Sequence, residues 1–458
     1  MTKSKLRVYD DTRAMFHLPD GVIYLDGNSL GALPLGVAER VSRVITTEWG
    51  DELIRAWNTA GWYAQPRHVG DRIARLIGAE AGSVMVGDTL SLKVYQALAA
   101  ALDMSASRKV VLSDTGNFPT DLYMAEGLIA TLGRGHQLRL VAPEEIEAAL
   151  SEEIAVLYVT EVDYRTGRRH DMAKLTAKAH ALGIVTVWDL AHSAGALPVD
   201  LAGSGADFAA GCTYKYINAG PGAPAFLYVA PRHADSARAA LSGWMGHAKP
   251  FAFELAYVAA GGIERMRVGT PPVLAMAALE ASLDIWDRVD IAEVRARSLA
   301  LGDLLIAEVG RRCPSLELVT PRAHERRGSQ VSFAFDGGYA AMQALIARGV
   351  IGDFRAPDIM RFGITPLYIG ESEVMRAAEI IEEVIAGEVW RPAGISGRER
   401  GDVRTVPAHP SSRGALATKQ SRILPQRRSG LLRFARNDAG EIRSARPTAP
   451  ARSHRARR

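Results

Sequence analysis

The sequence predicts an α/β protein, with a mostly parallel sheet covered by helices on both faces and a smaller α+β domain after it. Three observations carry that expectation. From about residue 84 to about residue 229, short β-branched runs alternate with stretches of helical spacing, the rhythm of strands joined by crossover helices. One run, 184–188 (Ile-Val-Thr-Val-Trp), carries no charge, as a strand buried on both faces requires. Beyond Gly243-Trp244-Met245-Gly246-His247 the rhythm loosens, and Gly269-Thr270-Pro271-Pro272 breaks the chain before a long helical stretch at 275–289.

The elements come in this order. Residues 1–20 read as an N-terminal arm. Val22-Ile23-Tyr24-Leu25 is strand-like, and Asp26-Gly27-Asn28-Ser29-Leu30-Gly31 is a loop of turn formers. Helical spacing runs through 36–50 and again through 69–77. Between them Trp57, Trp62, Tyr63, Arg67 and His68 form an irregular aromatic stretch, which suits a pocket lining or rings packed at an interface. Val84-Met85-Val86 leads through Gly87-Asp88-Thr89 into a helix at 92–102. Strands are read at 109–112, 138–141, 155–160, 185–189, 206–212 and 225–229, and a helix at 171–182 that Asp171 would cap. The C-terminal part reads as helix, strand (330–335), helix (340–347), a short strand near Val350 and a closing helix (371–385). The resulting division is 1–50 as an arm and segment packing with the small domain, 51–272 as the large domain, 273–394 as the small domain and 395–458 as a disordered basic tail.

A chain of 458 residues holds about two domains, and 48% hydrophobic with 23% charged residues fits a globular protein. The first residues precede no apolar run, and no stretch approaches a membrane span, so the expectation is a cytoplasmic protein without a membrane partner. Cys212 and Cys313 show no paired spacing, which argues against a disulfide framework or a metal site. The net charge of +4 divides unevenly: residues 395–458 hold 16 Lys+Arg against 4 Asp+Glu, a net of +12, which leaves −8 for residues 1–394. The folded body is acidic, so nucleic acid is not an expected partner. The tail lacks apolar periodicity and cannot offset its chain entropy by burial.

The chemistry concentrates between residues 184 and 222. Asp189 would close one strand, with His192 three residues on, and Thr213-Tyr214-Lys215-Tyr216 comes directly after the next strand. Ligands of open α/β sheets bind beyond the carboxyl ends of the strands. A lysine and an acid delivered there suit a pyridoxal phosphate site: the amine holds the aldehyde, and the acid keeps the pyridine nitrogen protonated. Each residue also has a plainer role open to it. A lysine after a strand is commonly a solvated charge, and an aspartate there a turn former or helix cap. Thr89 and Ser91 at a helix start could cap it or favour an anion. Phe118-Pro119-Thr120-Asp121 lies near the same edge and could equally be a tight turn.

Four motifs in order, Tyr24-Leu25-Asp26-Gly27-Asn28-Ser29-Leu30-Gly31, Trp188-Asp189-Leu190-Ala191-His192-Ser193-Ala194-Gly195, Tyr214-Lys215-Tyr216-Ile217-Asn218-Ala219-Gly220 and Gly243-Trp244-Met245-Gly246-His247, together resemble the kynureninase family over about residues 8–390. The resemblance implies a fold-type I pyridoxal phosphate enzyme with a mostly parallel seven-stranded sheet, related to class V aminotransferases and homodimeric. It implies hydrolysis of L-kynurenine, or 3-hydroxy-L-kynurenine, to anthranilate or 3-hydroxyanthranilate and L-alanine, in tryptophan catabolism and NAD biosynthesis. Lys215 is then the Schiff-base lysine, Asp189 the partner of the pyridinium nitrogen and Tyr214 a proton donor that also reaches the phosphate. Leu90, Ser91, Phe118, Pro119, Thr120, Asp121, Thr160 and His192 complete the cofactor site, with Phe118 stacked on the ring. Trp244 and Thr270 reach the phosphate of the neighbouring subunit. Animal relatives carry Asn where Thr270 stands. Arg361 clamps the substrate α-carboxylate by its fork, and Trp62 faces the substrate ring.

Rival readings are weaker. A cysteine desulfurase needs a nucleophilic thiol on a small-domain loop, and residues 353–368 contain none. An aminotransferase would use the same lysine and acid, and the four motifs weigh against it. A DNA-binding regulator would need a helix-turn-helix or its equivalent, which the sequence does not present.

Overall fold

In the computed structural model, which describes residues 5–105 and 107–391, a mixed sheet of seven strands forms the centre. In chain order these are β1 (Val84–Val86), β2 (Val110–Asp114), β3 (Gln137–Val141), β4 (Ile154–Thr160), β5 (Val185–Asp189), β6 (Phe208–Gly211) and β7 (Phe226–Val229). Their spatial order is β1-β7-β6-β5-β4-β2-β3. Pairs from β6 through to β3 are parallel, whereas β7 runs antiparallel to both of its neighbours. The mostly parallel expectation holds, with one reversed strand.

Both faces of this sheet are buried, which explains its apolar runs. Along β4, Val156 and Tyr158 pack with Val94 and Leu98 on one face, while Leu157 and Val159 join Trp188 and Leu175 on the other. Helices Leu90–Met104 and Pro119–Leu132 cover the first face; Met172–Ala181 lies against β5. Asp171 caps that last helix, accepting from the Lys174 amide at 3.0 Å.

A second sheet of four strands lies C-terminal: β8 (Glu317–Leu318), β9 (Gln330–Ala334), β10 (Asp353–Arg355) and β11 (Ile359–Gly363), ordered β8-β9-β11-β10 and antiparallel throughout. Helices Ile291–Arg312, Gly338–Ile346 and Glu371–Ala386 pack on it and on one another. Val350–Ile351 pairs instead with Ile23–Tyr24, so the N-terminal segment is tied to this part of the chain.

Several boundaries differ from expectation. The 206–212 strand ends at Gly211, so Cys212 lies just beyond it. The 36–50 helix is α-helical only over Gly36–Arg43, and Val44–Trp49 widens into a π turn. Phe118-Pro119-Thr120-Asp121 opens a 14-residue helix, with Pro119 at its first position, where a missing N–H costs nothing. Strands β10 and β11 were not read from the sequence. The 395–458 tail lies outside the described residues.

Gly211 faces Phe226 across the β6–β7 pair, and a Cβ there would stand 2.4 Å from the ring edge. The phenyl ring covers the glycine, and both strands are wholly buried. Gly211→Ala should therefore destabilise the fold by about 1–3 kcal/mol through overpacking, read as a lower thermal unfolding midpoint. An unchanged midpoint would show that Phe226 moves aside freely.

Candidate active site

Parallel strands β5 and β6 end side by side, and the segments leaving them meet. Asp189 is the last residue of β5 and is 2% exposed; its carboxylate accepts from the Ala191 amide at 2.7 Å. Lys215 lies four residues past the end of β6, and its Nζ is 3.0 Å from His192 Nε2. Burial raises the Asp189 carboxyl, and the nearby Lys215 charge opposes that rise. Burial also drives the His192 imidazole well below its ordinary value, reinforced by the charges of Lys215, Arg361 and Arg355. A neutral His192 is the result, with Nδ1 unpartnered among the described residues.

Of the expected cofactor residues, Thr160, Asp121 and Tyr214 lie beside Asp189 and Lys215. Thr160 ends β4 in register with Asp189, and its hydroxyl lies 3.4 Å from the Asp189 carbonyl. Asp121, in the first turn of its helix, is buried beside Asp189 and Tyr158. Burial, then the Asp189 charge, pushes its carboxyl far up, so the two carboxyls share one proton. Phe118 caps that helix and meets Tyr164 edge-on, with centroids 5.0 Å apart. Leu90 and Ser91 begin the Leu90–Met104 helix, whose first amides are free for an anion. The Tyr214 phenol is pushed up, first by the neighbouring Cys212 and then by burial, so it keeps its proton.

Other expected residues stand in different surroundings. Trp244 is 39% exposed and stacks on Phe253 at 6.3 Å. Thr270, also exposed, lines a small cleft with Gly87, Asp88 and Lys93, close to the Leu90–Met104 helix start. Trp62 donates from Nε1 to Glu48 at 2.8 Å and borders a cavity of about 440 Å³ with Val44, Trp49, Pro271 and Pro272. Arg361, on β11, is 1% exposed, and its fork is engaged by Asp353: Nε donates to Oδ1 at 2.6 Å and Nη2 to Oδ2. Among the described residues no helix is long and apolar enough to cross a membrane, and no cluster of three or more His, Cys, Asp or Glu could hold a metal ion.

A buried acid facing a lysine, an unpartnered imidazole nitrogen and a free helix N-terminus form a donor set that fits pyridoxal phosphate. The comparisons with known proteins agree. A family model described as the kynureninase C-terminal domain matches residues 294–381. A kynureninase of Burkholderia pseudomallei (strain 1106a) is 52% identical over 386 residues, covering 83% of this chain and 93% of the relative. The chain belongs to the kynureninase family. A kynureninase of Pseudomonas fluorescens is 51% identical over 388 residues, with the same coverage of 83% and 93%. Among solved structures, the cysteine desulfurase of Thermococcus onnurineus NA1 has a TM-score of 0.69 at 20% identity, covering 84% of this chain and 100% of that one. A C-DES lysine-to-alanine mutant with glycine covalently linked to its PLP cofactor gives 0.70 at 18% identity, covering 81% and 98%. At those identities the likeness shows the fold, which is the fold-type I architecture expected for a kynureninase.

Sequence reading missed the residues around Arg361. Asp353 also accepts from Ser29 Oγ at 2.5 Å and pairs with Arg355 at 2.8 Å. Asp26 is buried nearby with Oδ1 unpartnered among the described residues, and desolvation, then the Asp353 charge, pushes it up to about 7. The Asp26-to-Gly31 motif was the available signal, but nothing in it points to residues more than 300 positions away. An acid raised in the folded state favours folding most at low pH. That contribution is complete below its unfolded value of about 4 and is lost as pH rises through about 7. Asp26→Asn removes the titration, so its unfolding midpoint relative to wild type should rise between pH 5 and pH 8. A difference that does not change with pH would refute the assignment.

Proposed function

We propose that this chain hydrolyses the bond between the β-carbon and the γ-carbonyl of L-kynurenine, with pyridoxal phosphate as cofactor, releasing anthranilate and L-alanine. The observation that carries the reading is the convergence of Asp189, His192 and Lys215 at the ends of β5 and β6, in a chain about half identical to named kynureninases. Lys215 would hold the cofactor aldehyde, Asp189 the pyridine nitrogen, Phe118 the ring face, and Leu90 and Ser91 the phosphate. Pro119, Thr120, Asp121, Thr160 and His192 complete that cradle. When bound, the cofactor supplies an electron sink for charge developing on the substrate.

The chain's own groups then divide the work. Lys215 Nζ, once free, is the base placed to take the α-proton and return it. Neutral His192 accepts from that amine without adding a competing positive charge. Asp189 would pair with the pyridine nitrogen, and Asp121 beside it shares the proton of the two coupled carboxyls. Tyr214, kept protonated, can donate to the departing aryl-bearing fragment or to the alanine carbon. Arg361 lies on the side where the α-carboxylate would be read, and Trp62 toward the substrate ring.

Further parts of the reading concern assembly and context. Trp244 and Thr270 complete a neighbouring subunit's site in a homodimer; the exposed Phe251 and Phe253 beside Trp244 support an apolar contact there. Large and small domains meet near residue 272, with the N-terminal segment joined to the small one. The setting is cytoplasmic tryptophan catabolism that feeds NAD biosynthesis. A desulfurase reading lacks its thiol, since Cys212 and Cys313 are both buried.

Purified protein with pyridoxal phosphate should release anthranilate and alanine in equal amounts from L-kynurenine. Lys215→Ala should lower the rate by at least about 100-fold, the lower range for a lost proton-transfer group. Cofactor binding without anthranilate in the wild type would refute the substrate assignment.

A further inference from the structure

Arg361 is almost fully spoken for. Besides the two donations to Asp353, its Nη2 reaches Ser29 Oγ at 3.1 Å and its Nη1 donates to the Tyr164 carbonyl. A guanidinium has five N–H groups, so one Nη1–H remains. A substrate carboxylate cannot take the Nε/Nη2 fork while Asp353 holds it.

Arg355 stands two residues beyond Asp353 on β10 and therefore on the same face of the strand. Its Nη2 lies 2.8 Å from Asp353 Oδ2, and its Nη1 donates to the Phe354 carbonyl at 3.1 Å. The Nε–H and the second Nη1–H have no acceptor among the described residues, and the side chain is 36% exposed. Arg361 Nη1 donates to the Tyr164 carbonyl, the Tyr164 ring meets Phe118, and Arg355 joins Arg361 through Asp353, so both arginines belong to the cluster beside Phe118. The local charges are two guanidinium groups against the single carboxylate of Asp353. Asp26, pushed up to about 7 by burial, is only partly ionised near neutral pH. Part of a positive charge is left over, and a bound carboxylate would balance it.

We propose that Arg355 is the second cation that binds the α-carboxylate of the amino-acid substrate, together with the remaining Nη1–H of Arg361, and that Asp353 is the positioning residue that locks Arg361 in place. The inference deepens the kynurenine reading and rests on it for the substrate class.

The test uses holoenzyme and two small ligands that differ only at the carboxylate, L-alanine and L-alaninamide, titrated by the change in cofactor absorption. Arg355→Met should weaken L-alanine by at least about tenfold, the loss of a hydrogen-bonded charge contact. It should leave L-alaninamide within about twofold, and raise KM for L-kynurenine with kcat within about threefold. Arg355→Lys keeps a cation and disturbs the fold least. It should fall between wild type and Arg355→Met, with at least about threefold weaker L-alanine, since a point charge lacks the planar fork. Unchanged L-alanine affinity in either folded variant overturns the proposal. So does equal weakening of both ligands, which marks a structural role. Anthranilate release by wild type is read alongside: its absence overturns the kynurenine reading, whereas its presence with unaffected variants overturns the Arg355 assignment alone.

Discussion

Burying a carboxylate opposite a lysine, at the ends of two adjacent parallel strands, is the constraint on which the rest of this molecule depends. An ionised carboxyl withdrawn from water is tolerated only with a partner or donors. Asp189 has both, the charge of Lys215 and the Ala191 amide. Strand register makes this possible. Thr160, Asp189 and Ala210 lie abreast across β4, β5 and β6, so the segments leaving the sheet converge at one edge. A slip of one residue would turn Asp189 to the opposite face of the sheet. The packing of both faces by large apolar clusters therefore also specifies the chemistry.

The N-terminal loop from Asp26 to Gly31 joins this edge to the second sheet. The Gly31 amide donates to the Tyr214 carbonyl at 2.8 Å, and a Cβ on Gly31 would stand 2.3 Å from the Lys215 carbonyl. Only glycine permits that approach. Five residues earlier, Asp26 bridges Gly363 at the end of β11, and Ser29 reaches Asp353 and Arg361. One loop thus fixes the lysine segment and the arginine strand to each other. Neither sheet needs a long direct contact to hold that geometry.

Sequence patterning revealed one half of this arrangement well and the other poorly. Strands β2 and β4 to β7 announce themselves because both faces are buried, leaving runs such as 154–160 without a charged residue. Asp189 and Lys215 were legible because they interrupt such runs at the ends where ligands bind. Strands β10 and β11 were missed for the opposite reason. Asp353-Phe354-Arg355 alternates charge and ring, and Arg361 sits in mid-strand, so buried charge hides the apolar signal used to find strands. The coupling of Asp121 to Asp189 went unnoticed, since Asp189 lies 68 residues on and only the fold brings the two carboxyls together. A motif names residues of one segment. It does not say which distant segment completes their charge.

The two charge clusters are complementary in sign, and that bears on what the cleft can accept. At one end, Asp121 and Asp189 share a proton and leave a single negative charge beside Lys215. At the other, Arg355 and Arg361 meet Asp353 and the partly ionised Asp26, which leaves a positive excess. His192 is kept neutral by burial, reinforced by the charges of Lys215, Arg361 and Arg355. A ligand satisfying both ends needs a cationic nitrogen directed to Asp189 and a carboxylate directed to the arginines. An amino acid joined to a protonated pyridine ring has that pattern, whereas a simple aryl acid or amine would leave one end unbalanced. Recognition by opposite ends also explains why a fork locked by Asp353 is useful. With its fork held by Asp353, Arg361 is fixed on strand β11 of the second sheet, while the central sheet places Lys215.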